Sequence, residues 1–158
     1  MLKKIKWLPL LFVMLSAFLV GCGGPTLPYV KGDMYKDGSF IEVLNENEWK
    51  VHGYRDKDNQ YAVYKVEPTE YYSGKYTVVK MSKKTSYGGS DPFILQKPNY
   101  YLLAPTKKGF SMRNVGVETN GVVKWNNDFE KEFNDAKDKE AFLKETAEKA
   151  TRKFEKTN

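Results

Sequence analysis

The 158-residue chain has one cysteine and one histidine, and only three of its 26 basic residues are arginines: Arg55, Arg113 and Arg152. A single cysteine leaves no internal disulfide, so an exported form of the chain holds its fold by packing alone. A single histidine, His52, provides no His/Cys set for a metal. Along an extended segment it alternates with Lys50 and Tyr54, which places it on a polar face. Scarce arginine weighs against sites built on bidentate guanidinium forks. No Gly-x-Ser-x-Gly elbow occurs, so hydrolase chemistry has no nucleus here. Asp56-x-Asp58-Asn59 opens like a calcium loop, but Tyr61 stands where that loop needs glycine, and a solvated turn accounts for it better. The expectation is a non-enzymatic protein with no catalytic residue, no metal and no dissociable cofactor.

Long hydrophobic runs are missing as well. The one apolar stretch, Trp7 to Val20, would rise only about 21 Å as a helix against a hydrocarbon core of roughly 30 Å, and Pro9 interrupts it. Lys3, Lys4 and Lys6 precede it and Leu19-Val20-Gly21-Cys22 ends it. A basic tip, a short apolar core and a small-residue end describe an export signal over residues 1–21. The ending resembles the lipobox of bacterial lipoproteins. That resemblance covers residues 1–22 only and carries no fold for the rest. It implies cleavage between Gly21 and Cys22, a thioether-linked diacylglycerol on Cys22 and, in the fuller form, an N-acyl chain, palmitate being typical. Two or three acyl chains hold a protein to a membrane where one does not. The implied location is the outer face of the plasma membrane or the outer membrane. Gly23 is not the aspartate that marks inner-membrane retention.

Charge of one sign is also scarcer than the whole chain suggests. Losing Lys3, Lys4 and Lys6 with the signal leaves 23 basic against 20 acidic residues, so the net charge falls from +6 to +3. That gives no case for a nucleic-acid partner and suits a place beside an anionic membrane surface.

What is present is tyrosine, valine and closely spaced turns. Residues 22–34, with Gly23, Gly24, Pro25 and Pro28, read as a lipidated N-terminus and flexible tether reaching about 40 Å. Residues 35–126 read as a β-rich domain. Strands are expected at Ser39–Leu44, Trp49–Tyr54, Gln60–Glu67, Lys75–Ser82, Phe93–Gln96, Asn99–Leu103 and Val115–Thr119. An Asn120-Gly121 type I′ turn then leads into Val122–Trp125. Both faces of the central strands are apolar, so the sheet needs cover on both sides.

Residues 127–156 supply a candidate cover. Phe129, Phe133, Ala136, Glu140, Leu143, Ala147, Ala150 and Phe154 recur at alternating four- and three-residue spacing, with Glu140 the one polar interruption. The stripe predicts an amphipathic C-terminal helix that either overhangs the sheet or breaks near Asn134–Asp138. Asn126, Asn127 and Asp128 would cap it, and little core should lie beyond Lys144. The expected fold class is α+β and mostly β: an antiparallel sheet or partly open small barrel packed by that long helix.

Tyrosine carries the functional expectation. Tyr71-Tyr72 and Tyr100-Tyr101 are doublets at strand–connection borders, where alternation sends the two rings to opposite faces. One ring of each doublet is expected to be exposed and to contact a ligand. The leading reading is a membrane-anchored binding, inhibitor or immunity-type lipoprotein of the cell envelope. Its partner would be another envelope protein, an incoming protein or a wall polymer. A structural component of an envelope complex that uses the helix as its contact is the second reading, and an envelope hydrolase the third.

Overall fold

A computed structural model of the protein describes residues 23–158. Nine strands occupy most of the chain: β1 (Met34–Lys36), β2 (Ser39–Asn45), β3 (Glu48–Gly53), β4 (Tyr61–Ser73), β5 (Tyr76–Tyr87), β6 (Asn99–Pro105), β7 (Gly109–Thr119), β8 (Val122–Trp125) and β9 (Arg152–Lys156). Two helices, α1 (Phe129–Asp135) and α2 (Lys139–Glu148), lie between β8 and β9. Every pairing is antiparallel. The order β6-β5-β4-β3-β2-β1-β9-β7 returns to β6 through a β6–β7 pairing, so eight strands form a closed barrel. β8 is a hairpin extension of β7. Closure leaves few free edges, which suits a sheet without disulfides.

The Asn120-Gly121 turn forms as its sequence requires, with both residues at positive φ (52° and 76°). Strand alternation sends Ile41, Trp49, Val51, Tyr64, Met81, Phe110 and Phe154 into the barrel, where they fill the interior. Both faces of β4–β7 are covered, as the sequence demands. The inner face lines this core, and the outer face carries Tyr71, Val78, Tyr100, Leu102 and Val115 beneath Phe129, Phe133, Leu143 and Ala147 of the helices.

Each end of the barrel is plugged. At one end Tyr29 enters, its ring edge-on to Trp49 at 5.1 Å and its hydroxyl donating to the Glu46 carbonyl at 3.0 Å. At the other, Phe93 and Leu95 pack inward, and Asp91 takes hydrogen bonds from the Tyr64 hydroxyl and from Lys83 Nζ, both at 2.6 Å.

Four expectations are corrected. The long C-terminal helix is two short ones, the break falling within the Asn134–Asp138 stretch that was one of its two expected outcomes: Ala136 is extended (ψ 125°), and α2 restarts with Asp138 accepting from the Ala141 N–H at 2.9 Å. Its last part is a strand, because pairing β9 with β1 and β7 closes the barrel and buries Phe154 inside. Asn126–Asp128 make no side-chain cap, since Asn127 and Asp128 sit in left-handed conformations (φ 51° and 52°). Of the expected 22–34 tether, the part from Thr26 onward is folded: the Thr26 carbonyl accepts from Thr77 Oγ1 at 2.7 Å, Leu27 packs on the core and Tyr29 lies within it. Phe93–Gln96, expected as a strand, is instead the irregular plug between β5 and β6.

Candidate functional site

The tyrosine doublets place one ring each on the outer wall. Tyr100 of β6 faces Gly116 of β7, and Gly116 faces Trp125 of β8. A Cβ at Gly116 would stand 2.9 Å from the Trp125 ring, so glycine there lets the indole lie across β7 toward Tyr100. The Trp125 ring meets Tyr100 edge-on at 5.0 Å and Tyr71 edge-on at 4.9 Å. A register shift in β4 between Pro68 and Tyr72 turns Tyr71 outward, where it also packs on Phe133 at 5.4 Å.

These rings floor an open cleft of about 400 Å³, bordered by Glu70, Glu130 and the β7–β8 hairpin with Val122 at its tip. Both tyrosine hydroxyls point to carboxylates. Tyr71 donates to Glu130 Oε1 at 2.6 Å and Tyr100 to Glu118 Oε2 at 2.9 Å. Lys80 Nζ donates to the same Glu118 oxygen at 2.6 Å. That bond, with the one from Tyr100, holds the Glu118 carboxyl below the usual carboxylate range. Burial and the bond to Glu118 push the Tyr100 hydroxyl up to about 12, and burial with the bond to Glu130 raises Tyr71 likewise. Both phenols are therefore neutral donors at physiological pH, and the cleft has an aromatic floor under a carboxylate rim.

Neither ring is exposed as expected: Tyr71 and Tyr100 are each 8% accessible, because the helices and Trp125 cover them. Tyr72 is half-buried, and Tyr101 is half-buried against the barrel core. Cys22 and Gly21 lie outside the described residues. His52 is half-buried on the outer wall, with Nδ1 3.0 Å from the Gln60 carbonyl and its ring beside Tyr61. Asp56 closes a turn by accepting from the Gly53 N–H at 2.7 Å and from the Ser90 hydroxyl. No group of three metal-ligating side chains occurs among the described residues, and no helix among them is long and apolar enough to cross a membrane.

Sequence reasoning missed Trp125, Glu118 and Glu130. Trp125 was legible as a strand residue, but only the pairing of β6, β7 and β8 shows that it shares a face with Tyr100.

Fold and site define a class: a closed antiparallel barrel with a side-chain-filled interior, covered on one side by a helical segment that leaves an aromatic cleft at its border. A family model, described as a family of unknown function (DUF5512), matches residues 21–158, and the chain belongs to that family. An uncharacterized Bacillus anthracis protein, pXO2-32, is 39% identical over a 166-residue alignment covering all of both chains. No solved structure matches the chain.

Proposed function

We propose that the protein is an exported lipoprotein, anchored through Cys22, that works by binding a protein partner on its outer surface. The observation that carries this reading is the contrast between a barrel packed with Trp49, Tyr64, Phe110 and Phe154 and an outer wall that carries an open aromatic cleft. Small barrels that hold ligands do so inside; here side chains occupy that space, and contact falls to the outside. An aromatic floor whose most accessible ring is Trp125, with Glu70 and Glu130 above it, suits a lysine or arginine side chain, whose stem packs on the indole while its charge meets the carboxylates. Using the helices as the contact for an assembly is less favoured, since their apolar residues Phe129, Phe133, Leu143 and Ala147 are already spent on the barrel wall.

The test has two arms. Mass analysis of the mature N-terminus is expected to show acylated Cys22, and Cys22→Ser to release the protein or trap its precursor; an unmodified thiol with cleavage elsewhere overturns the anchor. For the cleft, a short lysine-rich peptide is titrated while NMR follows the indole N–H signals. Trp125 should shift and Trp49, inside the barrel, should not, with the response weakened in Glu70→Gln/Glu130→Gln. A silent Trp125 overturns the cleft.

A further inference from the structure

The strand meander sorts the connections between two ends. The N-terminal segment, the 45–48, 73–76 and 105–109 turns and the C-terminus share one end; the 36–39, 53–61, 87–99 and 119–122 connections share the other. Connections are ordinarily polar, yet most of the large exposed apolar side chains stand in or beside those of the second end: Tyr54 (74% accessible), Ile94 (75%), Val122 (70%) and Tyr87 (46%). Ile94 is held there against backbone preference. It is a β-branched residue at φ 53°, fixed by its N–H to the Asp91 carbonyl at 2.9 Å, while its neighbour Leu95 is buried.

The charges at this end do not balance. Asp37 is paired with Arg152 at 3.2 Å and Asp91 with Lys83 at 2.6 Å, and Asp56 is engaged by Gly53 and Ser90. Lys36, Arg55 and Lys57 are exposed and form no ion pair among the described residues; of the carboxylates in these connections, Asp58 is the one with neither an ion pair nor a side-chain hydrogen bond there. The surface is apolar and aromatic at its high points and cationic between them.

Tether length gives this end its direction, an argument that rests on the anchored-Cys22 reading. Because Thr26 is hydrogen-bonded to Thr77, the four steps from Cys22 to Thr26 reach about 14 Å at most, not the 40 Å of a free tether. The N-terminal end of the barrel then stands against the membrane and the Tyr54–Tyr87–Ile94 end faces away from it. We propose that this membrane-distal end is a docking surface for a protein with an acidic face. Charge complementarity selects an anionic partner. The exposed Ile94 and Tyr87 select protein over an anionic polymer, which would neutralise Arg55 and Lys57 but leave the apolar side chains in water.

Photo-crosslinking in the full chain in its own membranes tests this. A photoreactive residue at position 94 is compared with one at position 30, whose Val30 is 65% accessible at the opposite end. The expected result is a discrete protein adduct from position 94 and none from position 30. That adduct should fall about tenfold when Arg55→Glu and Lys57→Glu are introduced and should persist with Arg55→Lys and Lys57→Arg. No adduct from position 94, an adduct indifferent to charge reversal, or the same adduct from position 30 overturns the proposal. So does a purified anionic wall polymer that sediments with the wild-type chain but not with the charge-reversed one, when no protein adduct forms. The two readings fail separately: acylated Cys22 without an adduct sinks the docking surface alone, and a charge-dependent adduct from a chain with unmodified Cys22 sinks the anchor alone.

Discussion

The barrel interior and the aromatic cluster beneath the helices are both apolar, aromatic-rich cores, but they are built differently. The interior draws one to three side chains from each of eight strands that pair in a ring, and its centre includes Trp49, Tyr64, Phe110 and Phe154 at 1% accessibility or less. The outer cluster draws on the wall strands and two short helices. It is open on one flank, and its hydroxyls are tied to the partly or fully exposed carboxylates Glu118 and Glu130. A closed ring makes each member indispensable to the others, whereas a covering layer can loosen while the ring persists. The interior is where stability resides, and the cover is where change is tolerated and contact with a partner can be built.

The largest test of that contrast removes the ring's last member. A chain ending at Lys149 keeps both helices but loses β9, its pairing with β1 and β7, and Phe154. It should lose cooperative unfolding altogether, measured by near-ultraviolet circular dichroism through a urea titration. A helix-only C-terminus would make the same truncation mild, so a cooperative transition in the shortened chain would break the comparison.

Point changes sharpen it. Phe154 stacks on Phe110 at 5.2 Å and touches Phe93 within the closed interior, so Phe154→Ala should cost about 4–5 kcal/mol, the upper range for a phenylalanine that leaves a cavity. Phe133 sits at 5% accessibility on the buried face of short α1, which can settle into the gap, so Phe133→Ala should cost nearer 3 kcal/mol. Equal costs from urea midpoints at constant slope would say that the cover is as rigid as the ring.

These two phenylalanines also show what the sequence could carry. Their spacing fits one helical stripe, yet only Phe129, Phe133, Leu143 and Ala147 use it against the wall; Phe154 joins a strand whose register partners lie forty or more residues away. A five-residue strand leaves too short a pattern to outweigh a helical one, and ring closure is a non-local reward that no window records. The turns were legible because their chemistry is local, as with Asn120-Gly121. The N-terminal tether misled for the same reason in reverse. Gly23, Gly24, Pro25 and Pro28 describe a linker, but Leu27 and Tyr29 among them find an open barrel end to fill. Of the cleft, the tyrosines were visible as doublets, while their meeting at Trp125 depends on the register of three strands.

Acid compares the two plugs. Burial acts to raise the Asp33 carboxyl, but bonds from Lys156 at 2.6 Å, the Val30 N–H at 3.0 Å and the Tyr35 hydroxyl at 2.8 Å outweigh it and hold the carboxyl below the ordinary range. Asp91, at the other end, is likewise lowered by Lys83, Tyr64 and the Leu95 N–H against the opposing effect of burial. For a carboxyl depressed in the folded state, the stabilisation is complete above its unfolded pKa of about 4 and is lost as pH falls through the lower folded value. Stability should therefore decline below about pH 4. Asp33→Asn and Asp91→Asn should each cost roughly 2 kcal/mol at neutral pH and flatten that decline. A decline unchanged in both variants would assign acid sensitivity elsewhere.

The smallest effect lies in the cover and inverts what the sequence suggests about it. Asn126, Asn127 and Asp128 look like caps, yet none bonds an α1 amide, and positive φ at Asn127 and Asp128 turns the chain from β8 into α1 instead. Asp138, which looks like one more charge in a polar stretch, accepts the Ala141 N–H at 2.9 Å and starts α2. Losing a cap of this kind costs about 1 kcal/mol, so Asp138→Ala should lower stability by that amount. Asp128→Gly should be neutral or slightly favourable, because glycine enters the left-handed region without steric cost and no bond is lost. Matched thermal melts of the two variants decide it. If Asp128→Gly were the more damaging, the turn before α1 would be a cap after all and the helical cover would be held from its first residue, not from the break at Ala136.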